Sequence, residues 1–324
     1  MAPPLPRRHT RFVKRCALLV GVALSLGACV GKGLLTDGSS VSVGTHSRGA
    51  LRAAARLPLR GEGYVVPKRW AERKRNYGTD ELVALIARVA RKVRRRHGGG
   101  LLGVADLSPI GGGPTKEHGS HRSGRDVDLL YYATDLRGRT VAPTAMIHYN
   151  GKGASLTPTS NPNAPSAPTS SPTSQALQPT KLDLARNWTM MASLVTDPET
   201  PVQWIFIGRR ISRLLLAYGK RKRKSKQLIE RLALVMRQPG DASPHTDHIH
   251  VRIFCDPADR YQGCVDRGPP RFLKKSLKYK RLLVASNRRA TTAVISQTSA
   301  AMGGKLVSAL ERCLLFVSRQ RLFE

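Results

Sequence analysis

Ser243-Pro244-His245-Thr246-Asp247-His248-Ile249-His250-Val251-Arg252-Ile253 alternates aliphatic residues at 249, 251 and 253 with His248, His250 and Arg252. Successive side chains of a β-strand point to opposite faces, so this alternation predicts a strand that buries the aliphatics and projects both histidines together. A second stretch, Glu117-His118-Gly119-Ser120-His121-Arg122-Ser123-Gly124-Arg125-Asp126-Val127-Asp128, runs into Leu129 and Leu130. If extended, it places Asp126 and Asp128 on one face. The two stretches hold five of the nine histidines. Two adjacent strands would then present His121, Asp128 and His250 to one ion. Three N/O ligands with a fourth position left to water is the arrangement of catalytic zinc, whereas structural sites are closed by four ligands, often Cys. No Cys lies near either cluster.

Around these strands the chain alternates elements. Leu82, Leu85, Ile86, Val89 and Val93 recur at helical spacing from Thr79 to His97, with acids in the first turn, arginines in the last and Gly98 beyond. That pattern suits the helix dipole and predicts one amphipathic helix. Leu184, Trp188, Met191 and Val195 mark another, followed by a strand over Val202–Ile207. Two further helical patterns surround the cationic run Lys220 to Lys226. Residues 154–180 contain six Pro, six Ser and five Thr, a low-complexity insertion without the means to pack.

Lys and Arg number 55 against 21 acids, a net charge of +34. Such a field favours polyanionic partners. Charge alone suggests nucleic acid, but no aromatic-studded or helix-turn-helix pattern accompanies it, and the N-terminus points to export. Arg7 to Arg15 form a basic leader before the apolar stretch Cys16 to Leu26 and Gly27-Ala28-Cys29. This reads as a signal peptide, its apolar region too short to span a bilayer. Leu26-Gly27-Ala28-Cys29 also looks like a lipobox, which would make Cys29 a lipidated first residue. In an oxidising compartment Cys255 and Cys264 are expected to close their Asp/Pro/Gly loop as a disulfide; Cys313 is left over. No apolar run approaches the roughly 18–20 residues of a membrane span. The organisation expected is a signal over 1–28, a tether over 29–40, a catalytic domain over 41–272 interrupted at 154–180, and a basic tail over 273–324.

Zincin, Walker, dinucleotide and nucleophile-elbow motifs are all missing. What the residues do resemble is the lysostaphin, D-Ala-D-Ala peptidase and hedgehog superfamily, through His121, Asp128 seven positions later, and His248-x-His250. Within it the chain is similar to the penicillin-insensitive murein endopeptidases. His118 stands three before the first ligand and His245 three before His248, with Gly124-x-Asp126-x-Asp128 and His250-Val251-Arg252 leading to Cys255. The resemblance implies an α+β fold with a small antiparallel sheet carrying the metal and helices on its flank. It also implies a zinc D,D-endopeptidase that hydrolyses D-alanyl–meso-diaminopimelyl cross-links of peptidoglycan without an acyl-enzyme, the alternatives being a carboxypeptidase or amidase of the same polymer or a non-catalytic wall-binding lipoprotein. His121, Asp128 and His250 would hold one zinc per chain. His248 would be the catalytic histidine, with His245 and His118 lining the site. Asp126 or Asp247 would orient a ligand histidine, and Arg122, Arg125 or Arg252 would pair substrate carboxylates. Some members bind a second metal through Asp-x-x-His; Asn150-Gly151-Lys152-Gly153 stands there instead, which puts a second metal in doubt. A periplasmic protein, lipid-anchored at Cys29 and without nucleic-acid partners, is the expectation.

Overall fold

A computed structural model describes residues 36–156, 178–240 and 244–268. The expected signal, Cys29, Cys313 and the tail over 273–324 lie outside the described residues, as do residues 157–177 of the insertion.

In chain order the strands are β1 (Val41–Gly44), β2 (Gly49–Arg52), β3 (Ala55–Arg56), β4 (Arg60–Gly61), β5 (Tyr64–Val65), β6 (Tyr77–Gly78), β7 (Leu102–Gly103), β8 (Asp126–Leu130), β9 (Ala133–Asp135), β10 (Thr180–Leu182), β11 (Val202–Phe206), β12 (Met236–Arg237) and β13 (His248–Ile253). The helices are α1 (Lys68–Ala71), α2 (Asp80–His97), α3 (Leu184–Val195), α4 (Arg209–Arg221), α5 (Lys226–Val235) and α6 (Pro257–Tyr261). The fold is α+β. Its central sheet has the order β12-β11-β13-β8, antiparallel throughout except for the β11–β12 pair.

Register gives this sheet its two-sided character. β13 pairs with β8 through His250 opposite Asp128 and Arg252 opposite Asp126. Opposed residues of an antiparallel pair share a face, so the polar set collects on one side. Val127, Leu129, Ile249, Val251 and Ile253 take the other and join one continuous core with Leu82, Ile86, Val89, Met190 and Leu194 of the helices. The expected strands exist with the expected faces. His121 is different: it lies in the loop before β8, not on a strand.

α2 begins where Thr79 accepts a hydrogen bond from the Leu82 amide and ends at Gly98, whose φ of 59° takes it out of the helix. Ser40 caps the same end from outside: its amide donates to Asp80 Oδ2 at 2.9 Å, and its hydroxyl accepts from the Asp80 amide at 2.7 Å. The last residue of the expected tether is thus built into the domain. α3 lies against α2, and Asn187 on it bonds both the amide and the carbonyl of Tyr132, tying helix to sheet. Cys255 and Cys264 form the expected disulfide. The loop it closes pairs with the domain's first strand, since the Gly44 amide donates to the Gly263 carbonyl and the Val265 amide to Gly44.

Both ends of the Pro/Ser/Thr insertion belong to the fold, narrower than its composition suggested. Ala154 bridges Lys181, and the Ser155 amide donates to the Thr180 carbonyl at 2.9 Å. These are antiparallel neighbours that a short turn can connect. Replacing residues 157–178 by Asn-Gly is therefore expected to leave the melting temperature within a few degrees, with metal content and turnover nearly unchanged. Calorimetry and an activity assay on the deletion check this, and a large loss of turnover in a folded deletion would mean the segment reaches substrate.

Candidate metal centre

Three lone pairs meet on the polar face of the sheet. His121 Nε2 lies 3.3 Å from His250 Nδ1 and 3.4 Å from Asp128 Oδ1, and His250 Nδ1 lies 3.3 Å from the same oxygen. A tetrahedral ion with arms of about 2.0–2.1 Å has ligand–ligand edges of about 3.3–3.4 Å. The triangle is that size.

Outer contacts decide which ring nitrogens face inward. His121 Nδ1–H donates to the Leu107 carbonyl at 3.0 Å, leaving Nε2 as the lone pair. His250 Nε2–H donates to Asp126 Oδ1 at 2.7 Å, leaving Nδ1. Such partners fix the tautomer and orientation of a ligating imidazole. Asp126 is held in turn by Arg252 Nε at 2.7 Å, so this arginine is committed to the site's scaffold. Arg125 is also committed: it is 1 % exposed and bonds Ser42, the Ile253 and Val265 carbonyls and Asp266. Neither is available for substrate carboxylates. Arg122 is only partly buried, and its Nε is enclosed without a partner among the described residues.

Among the described residues neither Asp128 oxygen has a hydrogen-bond donor, although the residue is 1 % exposed. A buried carboxylate with no donor facing two imidazoles needs positive charge at the centre of the group. In the protein alone that charge is protons. Burial would raise the Asp128 carboxyl, but His121 and His248 outweigh it and hold it well below the usual range. Asp126 is likewise held low, burial being overcome by Arg252 and His250. Burial lowers His250, yet its bond to Asp126 and the neighbouring Asp128 carboxylate raise it above the ordinary histidine value. A metal ion would replace protons here, so binding should release them and weaken as pH falls. Titration calorimetry in buffers of differing ionisation enthalpy is expected to register about one proton released per zinc near neutral pH. Binding with no buffer dependence would contradict this.

His121 reaches the centre from a backbone φ of 64°. A non-glycine residue in that region costs of order 1–3 kcal/mol and persists only where its surroundings insist on it. Here Ser108 Oγ donates to the His121 carbonyl and accepts from the Gly124 amide at 3.0 Å, closing the loop.

Three histidines, His118, His245 and His248, remain partly open beside the buried His121, Asp128 and His250. His248 Nδ1–H donates to Asp247 Oδ1 at 2.8 Å, which leaves Nε2 free 3.6 Å from Asp128 Oδ1. Burial lowers its pKa, but Asp128 and Asp247 together raise it above the ordinary value. His118 Nε2–H donates to Asp106 Oδ2 at 2.9 Å and stands 3.9 Å from Asp128 Oδ2. His118, His121 and Asp128 are also close enough to hold an ion. His245 packs against His248 and is pushed down to about 4, mainly by burial and then by His248 and His250. It is neutral near pH 7.

Asp106 was not legible as a site residue. It is buried, ion-paired with Arg73 and Arg75, and anchors His118. Tyr131, whose hydroxyl donates to the His245 carbonyl, and Phe206, edge-on to His250, were missed as well. Asn150 uses its side-chain oxygen to accept from the Lys152 and Ala154 amides in its own turn.

No helix of the described residues is long and apolar enough to cross a membrane. Residues 42–157, which include His118, His121 and Asp128 but end before His245, match the family model described as penicillin-insensitive murein endopeptidase. Proteins of that name from Pectobacterium atrosepticum and Klebsiella pneumoniae are 27 % identical over 237 residues and 25 % over 246. Each alignment covers 72 % of this chain, and 70 % and 72 % of the two relatives respectively. An Escherichia coli protein of the same name is 31 % identical over a shorter 126 residues, 38 % of this chain and 45 % of that one. These matches, joined to the histidine and aspartate pattern, make the chain similar to the penicillin-insensitive murein endopeptidases.

Proposed function

We propose that the protein is a zinc-dependent D,D-endopeptidase of murein that hydrolyses D-alanyl–meso-diaminopimelyl cross-links, with one zinc held by His121 Nε2, Asp128 and His250 Nδ1. The observation that carries this reading is the triangle of inward-facing ligand atoms with edges of 3.3–3.4 Å, one corner a buried carboxylate without a hydrogen-bond donor among the described residues. When bound, the ion supplies Lewis acidity towards the scissile carbonyl and makes water a competent nucleophile near neutral pH.

The chain's own groups supply the rest. His248, with Nδ1 fixed by Asp247, offers Nε2 to take a proton from water and return it to the leaving amine. His118, oriented by Asp106, and the neutral His245 line the opening on either side. Asp126 keeps His250 in the tautomer that points Nδ1 inward. No serine or cysteine nucleophile enters this scheme, so penicillin would find no group to acylate in it.

The same reading places the protein in the periplasm, exported by residues 1–28 and anchored through a lipid on Cys29, with 41–272 as the catalytic domain. Digesting purified sacculi and separating the products by mass spectrometry tests the activity and the bond together. Monomeric tetrapeptide products from cross-linked dimers, abolished by a chelator, are expected. Release of terminal D-alanine or of lactyl-free peptides instead would make it a carboxypeptidase or an amidase.

A further inference from the structure

Between Arg209 and Arg237 the chain carries eleven basic residues and one acid, against 55 to 21 overall. Elsewhere among the described residues Arg73, Arg75, Arg88, Arg125, Arg186 and Arg252 each hold a carboxylate. In this stretch the lone acid, Glu230, reaches Lys226 at 4.0 Å. Among the described residues, Arg209, Arg210, Arg213 and all five bases from Lys220 to Lys224 form no ion pair.

Their placement is ordered. Arg209, Arg210, Arg213, Lys220 and Arg221 are the exposed positions of α4 apart from Ala217, while Ile211 and Leu215 are buried. One face of the helix is therefore a cationic stripe. At its start the Gly208 amide donates to the His245 carbonyl at 2.8 Å, and Arg210 packs over Gly151 beside the same loop. The stripe thus begins at the rim of the metal centre. With a rise of 1.5 Å per residue it extends about 18 Å. It ends at the turn 222–225, where Lys224 is near enough to help depress His97, close to Arg94, Arg95 and Arg96 at the end of α2.

We propose that this stripe and turn form a polyanion-binding track that holds the carboxylate-bearing stems of the murein strand being cut, a proposal that rests on the murein reading above. A track that starts at the catalytic rim favours the polymer that must pass through that rim. A bilayer would instead need a plane of contact, and among the described residues large apolar groups are not exposed along α4. Binding of this kind is electrostatic, so it weakens with salt.

The test uses Arg213→Gln, Lys220→Gln, Arg221→Gln and Lys222→Gln in one chain, away from every residue placed in the site. Glutamine keeps helix propensity, and folding is checked by zinc content and melting temperature. Co-sedimentation with insoluble sacculi at low salt is expected to fall about 10-fold, and to lose most of its salt dependence. Turnover of a small cross-linked peptide dimer freed of glycan should stay within about two-fold of the wild type. Should the fourfold variant lose its fold, Lys220→Gln/Lys222→Gln carries the same test, with about a 3-fold fall expected. Three outcomes overturn the proposal: unchanged sacculus binding, loss of binding only to vesicles containing anionic phospholipid, or an equal loss of dimer turnover. Intact sacculus binding by the wild type without cleavage would sink the endopeptidase reading while leaving the track's charge dependence measurable.

Discussion

His250→Ala is expected to purify folded, with zinc below about a tenth of an ion per chain and turnover at the uncatalysed background. The ligand atom sits in a triangle whose other corners are His121 and Asp128, and two corners do not hold an ion tightly in water. The fold should survive, because Asp126, the outer partner of His250, keeps its 2.7 Å bond to Arg252. A buried anion therefore does not lose all its compensation. Asp128→Asn should behave alike, since it removes the one charged corner. Elemental analysis beside a thermal melt checks both, and full zinc in either variant would remove that residue from the ligand set.

His248→Ala should separate the two histidines of β13. His250 is buried and turns Nδ1 inward, whereas His248 is partly exposed and keeps Nε2 free above the site. Its loss is expected to leave zinc near one per chain while lowering turnover by about 10²–10⁴, the span of general acid–base catalysis. The pH profile gives a second reading. His248 accepts a proton only when neutral, so activity should rise with pH through its pKa. Asp247 raises that pKa by accepting from Nδ1. Asp247→Asn should therefore move the acid limb to lower pH. A limb that stays in place, or a metal-free His248→Ala, would reverse the roles assigned to the pair. The limb belongs to His248 coupled with the catalytic water, not to one group alone.

The strands that carry this chemistry were legible because period-two alternation leaves little choice of face. Once Ile249, Val251 and Ile253 are inside, His248 and His250 must share the other side. Asp126 and Asp128 follow the same logic. The position of His121 was not legible, since its approach depends on a left-handed backbone and on Ser108, thirteen residues away. Asp106 gave no signal either: one acid in Val104-Ala105-Asp106-Leu107-Ser108 has no spacing to betray it, and only folding brings it to His118. Arg125 and Arg252 misled for a related reason. Their types suit anionic ligands, yet burial and the internal carboxylates Asp266 and Asp126 use them for structure. The ends of the low-complexity insertion were similarly hidden, because backbone pairing of Ala154 and Ser155 leaves no trace in composition.

The central claim is the identity of the three ligands, and diffraction on either side of the zinc absorption edge measures it directly. A single anomalous peak is expected within about 2.0–2.2 Å of His121 Nε2, His250 Nδ1 and an Asp128 oxygen, with His118 still bonded to Asp106. A peak coordinated by His118 and not by His250, or no peak in fully active protein, would contradict the account.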